Sequence, residues 1–246
     1  MSVTREQPSE YAVCPRSESV PETKEASDCT FLRDYLYENP LRRAARRFLY
    51  SVIRTIFPPA LRLIYGFHIT GKENYEKLNG GAVMVYNHVH CLDCIMAACA
   101  ITRNRIFYVT IQQNCNIPIV GGLIKLLGAW PLPQNASGYK MYKSRCKQAL
   151  KSGNIVVVCP EGERKKTYKE LRPFKTGAFE FAAENNVPVL PCVIKKVKSE
   201  GKTVLEFSML EPIYAPADAS KKRKTQSLCE NTRSVMAAEI EKNNTR

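Results

Sequence analysis

Residues 87 to 94 read NHVHCLDC, which places two of the chain's three histidines, two cysteines and an aspartate within eight positions. Such residues can bind a metal, exchange thiols, or pair a general-base histidine with an orienting carboxylate. The preceding AVMVY is typical of a strand and the following CLDCIMAACAI of a helix start. His88 is therefore expected in a turn at a strand end. From the first helical turn, Asp93 can accept from one ring nitrogen and leave the other to take a proton.

The residue inventory argues against the metal alternative. His88 and His90 resemble half of a binuclear hydrolase motif, but the aspartate comes one place late and the third histidine is the distant His68. The zinc signature of the deaminases is also missing. Cys91 and Cys94 could still form a Cys-x-x-Cys pair or join the two histidines on zinc, and His88 could simply cap a turn. We predict the His88–Asp93 pair, no metal and no cofactor.

A second polar cluster follows another apolar strand, in IVVVCPEGERKK. Its turn presents Glu161, Gly162 and Arg164. The planar guanidinium suits a phosphate, and a glutamate beside it can accept from a glycerol hydroxyl. Further on, Lys175 lies where a helix begins, and a helix N-terminus favours an anion. We predict a substrate-binding cluster here; the alternative is a solvated charged loop.

Strand-like and helix-like segments alternate from residue 66 onward. Predicted strands are FHIT, AVMVY, RIFYVT, NIVVVC, VPVLPCVI and TVLEFSML, and predicted helices span about 91–101, 118–128, 138–152, 175–186 and 226–243. This alternation predicts a single α/β domain with a mostly parallel central sheet flanked by helices. Sites in such sheets lie beyond the carboxyl ends of the strands, where both clusters fall.

The N-terminal part divides into two segments. Residues 1–30 have the composition of a disordered polar tail. Residues 31–65 are predicted to form a basic amphipathic helix lying in a membrane interface, ended or kinked by Pro58-Pro59, with arginines largely off its apolar stripe. The alternative is a helix that packs this stripe on the domain. The stripe contains Leu41, Ala45, Phe48, Leu49, Val52, Ile53, Ile56 and Phe57.

The net charge limits the kinds of partner that we expect, and the cysteine content limits the compartment. The chain has 37 Lys and Arg against 23 Asp and Glu, a net charge of +14, which favours anionic partners. Nucleic acid is not expected, because no aromatic-interleaved signature accompanies KKRK at 221–224. Ten cysteines without framework spacing, and a start that does not resemble a secretory signal, predict reduced thiols on the cytoplasmic side.

Several blocks together resemble a known family. NHVHCLD follows an Asn-His-x4-Asp pattern, CPEGER resembles Phe-Pro-Glu-Gly-Thr-Arg, FKTGA resembles Phe-Lys-x-Gly-Ala, and VPVLPCVI resembles the last block of the glycerolipid acyltransferases. The agreement runs in order across residues 66 to 194. The chain thus looks like a 1-acylglycerol-3-phosphate acyltransferase of the bacterial type, with residues 66–246 as its acyltransferase domain. It departs at Gln134, where the family usually has arginine.

The resemblance implies an enzyme of phospholipid biosynthesis. It implies acyl transfer from acyl-CoA or acyl carrier protein to the sn-2 hydroxyl of 1-acylglycerol-3-phosphate, giving phosphatidate. His88 would be the general base and Asp93 its orienter, while Glu161 and Arg164 would bind the glycerol phosphate. The expected location is the cytoplasmic face of an anionic membrane. Gln134 leaves open another lysolipid or amino-lipid acceptor, and a catalytically silent membrane or nucleic-acid binding protein is the alternative from another class.

Overall fold

Seven strands form one sheet in the order β1-β7-β6-β2-β5-β3-β4. The computed structural model describes residues 40–90, 92–162, 170–199 and 202–242. The strands are β1 His68–Thr70, β2 Ala82–Tyr86, β3 Ile106–Thr110, β4 Ala129–Pro131, β5 Ile155–Val158, β6 Val189–Ser199 and β7 Lys202–Met209. Neighbours among β2 to β6 pair in parallel, whereas β6 and β7 are antiparallel, and β1 runs parallel to β7. The predicted mostly parallel α/β sheet is confirmed.

Helices cover both faces of this sheet, which explains why its central strands are almost uniformly apolar. The helices are α1 Pro40–Tyr65, α2 Lys72–Glu76, α3 Asp93–Ala100, α4 Gln112–Cys115, α5 Val120–Leu126, α6 Ala136–Lys151, α7 Gly177–Asn185 and α8 Lys221–Glu241. Met84 of β2 packs in the core with α1 and α3, while its neighbours Val83 and Val85 pack with α6, α7 and α8. All five residues of β2 are buried.

The predicted elements differ from the structure mainly in short or polar segments. The strand β4 and the helices α2 and α4 were not predicted, because three to five residues are too few to show a period. The last helix begins at Lys221 rather than near 226, since the Ser220 side chain accepts from the backbone N–H of Arg223 and caps it. The KKRK run is therefore its first turn.

Helix α1 has two apolar faces rather than one stripe. Tyr50, Ile53 and Leu61 are buried against the domain, whereas Phe48, Ile56 and Leu63 are exposed on the opposite side. The helix does not end at Pro58-Pro59 but continues to Tyr65, with the packing of Leu61 holding the turn that follows the prolines. Among the described helices, none combines the length and the apolar character needed to cross a membrane. Residues 1–39, which include the predicted tail and the start of the predicted 31–65 segment, lie outside the described residues.

Candidate active site

The two polar clusters of the sequence meet at one edge of the sheet. Strands β2 and β5 are hydrogen-bonded neighbours, with Val85 opposite Val158, and both strands end there. Neighbouring strands lie about 4.8 Å apart. The turn that carries His88 and the turn that carries Glu161 therefore leave adjacent strand ends, as expected for a site in an α/β sheet.

His88 and Asp93 form a hydrogen-bonded pair. The ring Nδ1 lies 2.6 Å from Oδ2 of Asp93, whose side chain is buried, while 31% of the His88 side chain is exposed. The carboxylate also accepts from the backbone N–H groups of Val89 at 2.9 Å and His90 at 2.9 Å. These bonds leave Nδ1–H as the donor to the carboxylate. The other ring nitrogen, Nε2, is then the acceptor available for a substrate proton.

Asn87 fixes the end of β2 from which His88 projects. It is fully buried, its Nδ2 donates to the carbonyl of Ile194 at 2.9 Å, and its Oδ1 accepts from the N–H of Ile194 at 2.7 Å. The amide side chain thus bonds one residue of β6 as a strand neighbour would. This reciprocal pair closes the sheet where the chain turns away, and so it determines the direction of the His88 turn.

The second histidine of the motif has a different environment. The Nδ1 of His90 accepts from the backbone N–H of Leu92 at 3.2 Å, and its ring packs edge-on against Tyr65, with centroids 5.5 Å apart. Across the described residues, no three His, Cys, Asp or Glu side chains are grouped so that they could hold a metal ion. Cys91 lies outside the described residues, so the predictions on metal and thiol chemistry there stay predictions.

Glu161 lies below the surface and is bound by an arginine. Its side chain has no exposed area, and Oε2 accepts from Nε of Arg172 at 3.0 Å and from Nη2 at 2.7 Å. Arg172 keeps 19% of its side chain exposed. In this arrangement Glu161 fixes the orientation of Arg172, which stays partly exposed; direct contact of Glu161 with a substrate stays a prediction.

The remaining predicted residues are at the surface of the same turn. Gly162 has φ +82°, and a Cβ there would approach Nζ of Lys175 to 2.9 Å. The backbone N–H of Lys175 donates to the carbonyl of Pro160 at 2.9 Å, which anchors the lysine to this turn. Arg164 lies outside the described residues. Gln134 is exposed in the loop after β4.

The environment of the thiol beside this site favours its protonated form. Burial, with the negative charges of Glu161 and Asp93, raises the pKa of Cys159 to about 12, although the N–H of Glu161 and the charge of Arg172 act in the opposite direction. A protonated thiol is a poor nucleophile. The site therefore offers His88, and not Cys159, as the group that can activate a substrate.

Sequence reasoning overlooked two residues of this site. Asn87 was part of the quoted motif but received no role, although an amide at the end of a buried strand needs partners for both its donor and its acceptor groups. Arg172 was overlooked entirely. The signal for it was indirect: a glutamate in a turn after a buried strand requires a cation nearby if its side chain is buried.

Comparisons with known proteins agree with this geometry. The family model described as Acyltransferase matches residues 66–195, which is 130 of the 246 residues. The chain is 28% identical over 209 residues to a chloroplastic 1-acyl-sn-glycerol-3-phosphate acyltransferase of Arabidopsis thaliana, covering 82% of this chain and 56% of that protein. It is 26% identical over 165 residues to the 1-acyl-sn-glycerol-3-phosphate acyltransferase of Bacillus subtilis, covering 67% of this chain and 80% of that protein.

A solved structure confirms the fold. The crystal structure of the 1-acyl-sn-glycerophosphate acyltransferase PlsC from Thermotoga maritima matches with a TM-score of 0.62 and 19% identity, covering 90% of each chain. The chain spans only about half the length of the plant relatives, 56% of the Arabidopsis protein and 44% of a similar chloroplastic enzyme of Brassica napus. Because the family model covers more than half of the chain and includes both polar turns, the chain belongs to the acyltransferase family.

Proposed function

We propose that this protein transfers an acyl group from a thioester to the sn-2 hydroxyl of 1-acylglycerol-3-phosphate and so forms phosphatidate. The observation that carries the proposal is the 2.6 Å contact between Nδ1 of His88 and the buried Asp93 carboxylate, which leaves the partly exposed ring with Nε2 as a proton acceptor. The names of the plant and Bacillus relatives support the lysophosphatidate acceptor.

The proposed mechanism follows from the hydrogen-bonded pair of His88 and Asp93. Nε2 of His88 removes the proton of the acceptor hydroxyl as its oxygen attacks the thioester carbonyl. The tetrahedral intermediate then breaks its C–S bond, and the imidazolium returns the proton to the leaving thiolate. Asp93 holds Nδ1–H and stabilises the imidazolium between these two steps. This mechanism needs no acyl-enzyme, which agrees with the raised pKa of the Cys159 thiol.

The cationic groups of the second turn are the candidates for holding the acceptor's phosphate. Lys175 is exposed beside Gly162, and Arg172 is held at the edge of the same turn by Glu161. Arg164 completes this set in the proposal. The exposed Gln134, where the family usually has arginine, supports a second candidate, in which the acceptor is another lysolipid or an amino-lipid.

Donor and location belong to the proposal as well. The donor is acyl-CoA or acyl carrier protein, both of which are anionic and suit a chain of net charge +14. The proposed location is the surface of an anionic membrane on its cytoplasmic side, with no nucleic acid as partner. The exposed apolar side chains of α1, flanked by the exposed Arg43, Arg47 and Arg62, support this location.

The test is an assay of purified protein on anionic vesicles with a labelled acyl thioester and lysophosphatidate. We expect labelled phosphatidate from the wild type, with and without chelator, and a rate lower by about 10²- to 10⁴-fold from His88→Ala. The matched control is His68→Ala, because His68 is half exposed on β1, three strand positions from β2. Running the assay with both donors and with other lysolipids decides donor and acceptor. An unchanged rate for His88→Ala would contradict the proposed chemistry.

A further inference from the structure

The crossover from β3 to β4 exposes a group of apolar side chains that the proposed chemistry does not use. We call Ile111, Ile117, Ile119 and Leu123 the isoleucine patch. Ile119 is 93% exposed, and the other three are between 45% and 52% exposed. The segment from 111 to 134 contains no aspartate or glutamate, in a chain with 23 such residues. An apolar surface without acidic groups is poorly suited to water but well suited to an anionic lipid surface.

The backbone at Ile119 has an unfavourable conformation, and the side chain points outward. Its φ of 62° and ψ of −55° lie in a region that β-branched residues rarely adopt. In the next turn Gly121 packs so close to the carbonyl of Cys115 that a Cβ would come within 2.1 Å. This contact, and the bond from the Gly121 N–H to the carbonyl of Ile117 at 2.7 Å, close a tight turn with Ile119 at its tip. Strain of this kind is found mainly where function requires it.

The patch lies at the same edge of the sheet as the catalytic pair. Ile111 directly follows β3, whose carboxyl end is two strand positions from that of β2, or about 10 Å. On the other side of the His88 turn is the end of α1, where Tyr65 contacts His90. Leu63 and Ile64 in that last turn are 89% and 68% exposed. Exposed apolar groups therefore flank the site on both sides.

A hydrogen bond joins α1 to the crossover that carries the patch. The hydroxyl of Tyr50 in α1 donates to the carbonyl of Leu127, just after α5, at 2.7 Å. Leu127 precedes the amino end of β4, which is parallel to β3, so this bond holds the first half of α1 at the edge of the sheet opposite to His88. The exposed arginines of α1 supply the charge that an anionic leaflet attracts.

We propose that the isoleucine patch inserts into the lipid leaflet as a second membrane contact, independent of α1, with Ile119 deepest. With the end of α1 on one side and the patch on the other, the exposed part of the His88 ring would face the leaflet, so a lysolipid acceptor enters sideways from the bilayer. The entry of the acceptor rests on the proposed function; the membrane contact itself does not.

The test uses the full chain and Ile119→Gly. Glycine accepts φ +62° without strain, so this change removes the side chain without harming the fold, and the melting temperature should stay the same or rise. Binding to vesicles should fall roughly tenfold, the effect expected for one isoleucine side chain leaving an apolar phase. The fall should occur on phosphatidylcholine vesicles with or without phosphatidylglycerol. Arg47→Gln, in contrast, should weaken binding only when phosphatidylglycerol is present.

The matched control is Tyr214→Ser. Tyr214 is 61% exposed and follows Ile213, which pairs with Val189 at the start of β6, on the opposite edge of the sheet from the site. We expect its vesicle binding to equal that of the wild type. We also expect Ile119→Gly to acylate a short-chain lysophosphatidate dissolved without vesicles at the wild-type rate, and to acylate vesicle-bound lysophosphatidate more slowly.

Three outcomes separate the possibilities. Wild-type vesicle binding by Ile119→Gly overturns the membrane contact, whether or not the wild type makes phosphatidate. A dimer that Ile119→Gly converts to monomer, with vesicle binding unchanged, also overturns it and assigns the patch to a second copy of the chain. A tenfold loss of vesicle binding in a protein that acylates no lysolipid supports the contact and overturns the proposed function instead.

Discussion

Replacing Asp93 by asparagine tests the catalytic pair most directly. The Oδ2 atom accepts from Nδ1 of His88 at 2.6 Å and from the N–H of Val89 at 2.9 Å, and Oδ1 accepts from the N–H of His90 at 2.9 Å. Asparagine offers one acceptor oxygen and one NH2 group. If the NH2 group takes the Oδ1 position, it meets the His90 N–H, and the negative charge behind the imidazole is lost. If it takes the Oδ2 position, it donates to Nδ1, and the proton moves to Nε2, where the base must be unprotonated.

Both orientations remove what the carboxylate contributes to the base. General-base catalysis contributes about 10²- to 10⁴-fold, so we expect kcat to fall by about that factor, or roughly 3 to 5 kcal/mol in activation free energy. KM should change little, since Asp93 is buried behind His88. In either orientation the new NH2 group faces a backbone N–H donor, of Val89 or of His90, and neither donor has an acceptor there. This should lower the free energy of unfolding of the variant by about 1 to 3 kcal/mol.

The assay measures initial rates at saturating donor and acceptor, with urea unfolding in parallel. Asp218→Asn is the matched control, because Asp218 is an exposed carboxylate outside the site. The double variant with His88→Ala should be no slower than His88→Ala alone, because the two residues act as a unit. A folded Asp93→Asn protein with kcat within about threefold of the wild type would refute the orienting role, given the size expected for a general base.

Three further predictions concern the second turn. Arg172→Ala should lower the free energy of unfolding by about 3 kcal/mol in urea titrations, because the unexposed Glu161 side chain loses the Arg172 guanidinium. A change below about 1 kcal/mol would contradict a structural role of this ion pair. Gly162→Ala should lower the free energy of unfolding by about 1 to 2 kcal/mol, because φ is +82° at this position. The added Cβ should also displace Lys175 and so raise KM for lysophosphatidate. An unchanged KM would argue against this lysine as a phosphate ligand. Iodoacetamide at pH 8 should alkylate Cys159 roughly a thousandfold more slowly in the folded than in the unfolded protein, because a pKa of about 12 leaves little thiolate. Mass mapping of the alkylated peptides measures both rates. Equal rates would mean that the thiol is not buried.

The local sequence pattern was sufficient to predict the central strands of the sheet and the His88–Asp93 pair. AVMVY, IFYVT and IVVV are continuous apolar runs, and such runs predict strands buried on both faces whatever surrounds them. His88 and Asp93 are five residues apart across one strand–turn–helix junction. Their contact is therefore a local matter, and the spacing predicted it without knowledge of any distant residue.

Other features depended on residues far apart in the chain. The orientation of β7 against β6, the partner of Asn87 on Ile194, and the contact of Tyr50 with Leu127 each join positions that no sequence spacing relates. Helix α1 shows this plainly: its periodicity revealed apolar side chains at helical spacing, but only packing decided which of them face the core and which remain exposed.

The sequence by itself determined that this protein has an α/β sheet, that two polar turns follow its strands, and that His88 and Asp93 can work as a pair. The tertiary structure decided that Glu161 is buried and ion-paired with Arg172, and that the isoleucine patch and the end of α1 lie at the same edge of the sheet as His88. The physical reason is that burial and ion pairing depend on which strands become neighbours. The order of strands in the sheet is a property of the whole chain and not of any one segment.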